Sequence, residues 1–102
     1  MGYNFKLGLV LALASCSTSA AAADLAEGER LARQWCANCH VIDGSGPSAS
    51  LPQGPPSFRV AAGHLNPAEL RAFLTRPHGQ MPDLSLTRAE IDDLIAYIET
   101  KR

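Results

Sequence analysis

Cys36-Ala37-Asn38-Cys39-His40 packs two thiols and an imidazole into five positions. Four chemistries use such groups: a disulfide, a metal site, a redox dithiol and covalent attachment of haem. A disulfide between Cys36 and Cys39 leaves His40 unexplained. A zinc site wants a second pair of ligands at similar spacing; once the leader described below is cleaved no further cysteine remains, and only His64 and His78 could help. A thioredoxin-like dithiol needs a βαβ setting, and no strand pattern occurs. Haem attachment uses all three residues. Two thiols add across the two vinyl groups on one porphyrin edge, and two intervening residues let both sulfurs reach them from one helical turn. The adjacent histidine then supplies the proximal nitrogen to iron. The motif therefore predicts one covalent haem c, with its iron, held by Cys36 and Cys39 and ligated by His40.

A sixth ligand is sought next. Met81 is the only methionine besides Met1, and it sits in a loop between Gly79-Gln80 and Pro82. A loop can bring a flexible thioether onto iron, and His/Met ligation raises the reduction potential relative to bis-His. The blander reading is that Met81 merely fills core space, and its isolation in a polar loop punctuated by Pro and Gly argues against that. His64 and His78 are the other candidate ligands. A proximal histidine usually donates its second N–H to a carbonyl. Pro56, in Gly54-Pro55-Pro56-Ser57-Phe58, offers a rigidly held one.

The start of the chain bears on the compartment. Lys6 precedes the apolar run of residues 7–14, small residues follow, and Ala20–Ala23 leads to Asp24. This is the layout of a secretory signal peptide spanning 1–23, cleaved after Ala23 by the A-x-A rule. The apolar run is too short to span a bilayer, which takes about 20 residues. Leu13-Ala14-Ser15-Cys16 also matches a lipobox, in which case Cys16 becomes a lipidated N-terminus and the protein is anchored to the membrane. Either cleavage places the domain of residues 24–102 in the periplasm or outside the cell. With Lys6 gone, eight basic and ten acidic side chains leave a charge of −2, and Lys101 is the sole lysine. No basic patch remains, so nucleic acid is excluded as a partner.

Three helices must position these groups. Residues 24–39 place Leu25, Gly28, Leu31, Ala32 and Trp35 on one face, with Asp24 as N-cap and Glu27 in capping-box position. Gly28 inside a helix costs up to about 1 kcal/mol, which suggests close packing by a neighbour. Residues 41–64 are rich in Gly, Pro and Ser and read as a long loop around the cofactor. Asn66, Pro67 and Glu69 open a helix whose apolar face is Leu70, Phe73 and Leu74, stopped by Pro77. Thr87 and Glu90 open the last, with Ile91, Leu94, Ile95 and Ile98 in a stripe and Tyr97 beside it. A mature domain of 79 residues is small for an unaided core, so a large apolar cofactor would complete it.

From residue 24 to 102 the chain resembles a small class I cytochrome c of the bacterial periplasmic monohaem type. The likeness rests on CANCH, on PPSF, on QMPD and on DLIAYI in the last helix. It implies an all-α cytochrome c fold, three main helices and long loops wrapped around one covalently attached haem. It implies thioether bonds at Cys36 and Cys39, axial His40 and Met81, and orientation of His40 by the Pro56 carbonyl. Gly28 and Tyr97 match the family's packing of a glycine against an aromatic where first and last helices cross. Ala32 departs from the aromatic common four residues after that glycine, and the family's docking ring of lysines is missing. The resemblance implies an electron carrier rather than an enzyme, a monomer that exchanges electrons with a redox protein: a dehydrogenase, an oxidase or a membrane complex. The alternatives are a haem subunit of a periplasmic dehydrogenase, and a ligand-binding or peroxidase-like haem protein if Met81 is labile.

Overall fold

The computed structural model describes residues 2, 12–15, 22–43, 54–77 and 79–102. Cys16, most of the proposed leader and His78 lie outside the described residues, as does most of the loop after the CANCH motif. Among the described residues there are helices and no strand: α1 (Leu25–Leu31), a π-helical segment (Ala32–Cys36), α2 (Phe58–His64), α3 (Pro67–Thr75) and α4 (Arg88–Glu99). The architecture is the all-α one that the sequence implies, with a fourth helix added.

α4 is the centre of the fold, and α1, α2 and α3 all pack on it. Its stripe of Ile91, Leu94, Ile95, Tyr97 and Ile98 is buried. Thr87 caps it with a complete capping box, each of Thr87 and Glu90 accepting from the other's backbone N–H at 3.1 and 2.9 Å. Asn66 and Glu69 do the same for α3, whose Leu70 is buried. Such caps satisfy donors that the first helical turn leaves without partners. Arg71 of α3 pairs with Asp92 of α4.

α1 crosses α4 at Gly28. A Cβ at residue 28 would lie 2.0 Å from the Asp93 carbonyl oxygen and 3.0 Å from Tyr97 Cβ. Only the missing side chain lets the two backbones approach so closely, and this accounts for a glycine inside a helix. The capping box expected at this end forms only by half. Asp24 accepts from the Glu27 N–H at 3.1 Å. Glu27, however, turns to Arg30 at 2.5 Å, and the Asp24 N–H donates instead to Asp93 Oδ1 at 2.8 Å.

The sequence reads residues 24–39 as one α-helix, but the structure changes its winding after Leu31. Hydrogen bonds there run from i to i+5, and Ala37 N–H reaches Ala32 O at 2.9 Å. The wider turn moves Cys36, five residues on, onto the face of Leu31, while Trp35 turns outward and is 51% exposed. Gly28, Leu31 and Ala32 are buried as expected, whereas Leu25 and Trp35 are not. The loop assigned to residues 41–64 is also corrected: its last seven residues form α2. The Ser57 hydroxyl caps it by accepting from the Val60 N–H at 3.1 Å. The helix is too short to show a period, and it buries only Phe58 and Ala62.

These contacts distinguish two glycines. Gly28→Ala forces α1 and α4 apart and is expected to lower stability by about 1–3 kcal/mol. At Gly63 in α2 a Cβ meets nothing within 4 Å, so Gly63→Ala is expected to raise stability by up to about 1 kcal/mol. Denaturant midpoints of the haem-loaded variants check both.

Candidate haem-attachment site

The π-helical segment delivers Cys36 to the interior, and the turn after it delivers Cys39 and His40 to the same place. Cys39 N–H and His40 N–H both donate to Cys36 O, at 3.1 and 2.9 Å. That tight turn leaves Cys36 buried and Cys39 exposed, with no disulfide between them. Burial pushes the Cys36 thiol up to about 11, so its sulfur is neutral in this wall. A thioether is neutral as well, so attachment there places no charge in an apolar setting.

His40 Nδ1 lies 2.6 Å from Pro56 O. A carbonyl can only accept, so the hydrogen bond puts the proton on Nδ1 and leaves the Nε2 lone pair free for a metal. The ring also packs against Phe58, centroids 5.9 Å apart, and Phe58 meets Tyr97 edge-on at 6.1 Å. Phe58 N–H donates to Val41 O at 2.9 Å, which ties the start of α2 to the residue after His40.

Two adjoining cavities open beside these groups. One, of about 300 Å³, is walled by α2, α3 and α4, among them Ala61, Leu70, Leu74, Leu94 and Ile98. The other, of about 460 Å³, is bordered by Trp35, Cys39, Pro55, Gln80, Pro82 and Leu84. Cys36, His40, Pro56, Phe73 and Met81 line both, so the two are halves of one cleft. The cleft thus gathers all five residues that the sequence singles out: Cys36, Cys39, His40, Pro56 and Met81. His64 borders the first half. Among the described residues no three His, Cys, Asp or Glu side chains cluster as a metal site, and His78, the other histidine a zinc site could use, lies outside them.

The donor set and the walls fit a haem: two thiols three residues apart, one imidazole with Nε2 available, and a broad surface of aliphatic and aromatic side chains. Sequence reasoning identified the α3 and α4 walls from their periodicity. It missed Val60, Ala61 and Leu65 because it missed α2, for which Ser57 as N-cap was the one readable signal.

Residues 23–98 match the family described as Cytochrome C oxidase, cbb3-type, subunit III. Cytochrome c-552 of Bradyrhizobium diazoefficiens is 44% identical over 96 residues, which cover 92% of this chain and 90% of that one. No solved structure matches. On the strength of the family match and this relative, with the all-α fold and cleft in agreement, the chain belongs to the class I c-type cytochromes, electron-transfer proteins with covalently bound haem c.

Proposed function

We propose that this chain is a one-electron carrier of the periplasm, with His40 and Met81 as axial ligands and no catalytic residue of its own. The observation that carries the reading is the sharing of one cleft by His40 and Met81. The bound haem supplies a reversible one-electron couple between ferric and ferrous iron. His40 offers Nε2, and its bond to Pro56 fixes the ring and its tautomer. Met81 offers a soft thioether, which favours the ferrous state. The loop that carries it is shaped on both sides: Gly79 takes φ +69°, and the Ser85 N–H donates to Asp83 Oδ1 at 2.8 Å. The walls from α3 and α4 exclude water, so little solvent has to reorganise as charge changes. No group in the cleft has to move a proton.

The same reading takes residues 1–23 as a leader removed on export and residues 24–102 as the mature, monomeric domain. Lipidation at Cys16 is the alternative start. Among the described residues no helix is long and apolar enough to cross a membrane. The partners in this reading are redox proteins. The matched family's description names an oxidase subunit, which supports a membrane redox complex as one partner. A periplasmic dehydrogenase is the other class considered.

Three outcomes are expected. The ferric protein shows a near-infrared Met-to-iron charge-transfer band. Met81→Ala removes that band, lowers the potential by on the order of 0.1 V within the roughly 0.8 V that axial ligands control, and lets the ferrous form bind carbon monoxide. Wild-type protein that lacks the band and binds carbon monoxide rapidly supports the ligand-binding reading instead. The intact mass of exported protein corresponds to a chain that begins at Asp24 with one haem added. Finally, Leu94→Ala, at a wall residue only 1% exposed, costs about 2–5 kcal/mol by denaturant unfolding while the haem mass stays attached.

A further inference from the structure

The Asp24 backbone nitrogen has an unusual partner. It lies at the N-cap of α1, where Glu27 three residues on is placed to accept from it, yet the acceptor is Asp93 Oδ1 of α4, 2.8 Å away and 69 residues distant. Asp93 is also the residue whose carbonyl lies against Gly28 at the crossing of these helices. The ion pairs among the described residues join Arg30 to Glu27, Arg33 to Glu29, Arg71 to Asp92 and Arg102 to Glu99, and none of them involves Asp93. A carboxylate at a helix crossing therefore faces one neutral amide N–H.

That nitrogen is the atom that cleavage after Ala23 would liberate. We propose that Asp93 is the receptor for the N-terminus of the mature chain, and that leader removal turns this amide contact into an ion pair clamping α1 to α4. The inference rests on the cleavage proposed above. In that step water adds across the Ala23–Asp24 peptide bond under a leader peptidase. Ala23 leaves as a carboxylate, and the Asp24 nitrogen takes up protons to become an α-ammonium. The group that already points at Asp93 then carries a full charge. Charge-assisted hydrogen bonds are shorter and roughly twice as strong as neutral ones. The dipole of α1 opposes a cation at its N-terminus. The carboxylates of Asp24 and Glu27 on α1 and of Asp93 on α4 act against that repulsion. Only a start at residue 24 places the charge here: a chain beginning at Cys16 keeps a neutral amide at Asp24. The clamp closes beside the Gly28 contact, on the helix that leads into the segment carrying Cys36.

The test compares haem-loaded protein beginning at Asp24 with haem-loaded protein beginning at Ala22, each with Asp93 and with Asp93→Asn. The Ala22 start keeps the residue 24 N–H but moves the ammonium two residues away. The Asp24 start is expected to melt about 2–6 °C higher at low salt, the shift an exposed ion pair gives in a domain of this size. The difference should disappear with Asp93→Asn and shrink in about 1 M salt, where charges are screened within roughly 3 Å. Equal melting of the two starts, or a difference that survives Asp93→Asn, overturns the receptor role. The N-terminal residue of protein exported by its native host is read separately by mass. A start other than Asp24 overturns the cleavage reading, and with it the pair's formation in the cell, whatever the melting data show.

Discussion

An apolar cleft walled by side chains from three helices is the constraint on which the fold depends. Leu94 and Ile98 of α4, Leu70 and Leu74 of α3, and Phe58 and Ala61 of α2 face it from three helices. Water in such a space would find almost no polar partner, and a domain of this size has little other apolar area to bury. The haem of this family resolves both difficulties. It is a large, flat, largely apolar group, and the thioether bonds keep it from leaving. The interior is therefore partly cofactor, and the helices are arranged as its walls.

The remaining features follow from holding that group in one orientation. The close crossing of α1 and α4 at Gly28 sets the axis along which the motif arrives. The π-helical segment turns Cys36 inward at the end of that axis, an instance of π-bulges marking functional sites. The Pro56 carbonyl fixes the His40 ring, and the tie from Phe58 to Val41 holds the two chain segments together. Cys36 and Cys39 offer their sulfurs three residues apart, and the bond to Pro56 leaves the Nε2 lone pair of His40 free for a metal.

Local signals were readable, and non-local ones were not. Thr87 with Glu90 and Asn66 with Glu69 announced their helices because a capping box lies within four residues. The α4 stripe was legible because one face is buried over its whole length. The motif named its own chemistry because spacing alone sets what two thiols and an imidazole can reach. Trp35 was misplaced because periodicity assumes 3.6 residues per turn, and the π-helical winding breaks that assumption at the site. α2 escaped because seven residues with Val60 and Gly63 among them show neither strong propensity nor a period. The partner of the Asp24 N–H was out of reach, since Asp93 is distant in sequence and a nearer carboxylate, Glu27, fits the local pattern.

The central claim is that the cofactor serves as the interior of this domain. Unfolding of residues 24–102, produced with and without the host's haem-attachment machinery and followed by far-ultraviolet circular dichroism, tests it most directly. The account predicts a helical spectrum and one cooperative transition for the red protein, and a largely non-helical chain with no transition for the colourless one. A colourless chain with equal helix content and an equally sharp transition would contradict it.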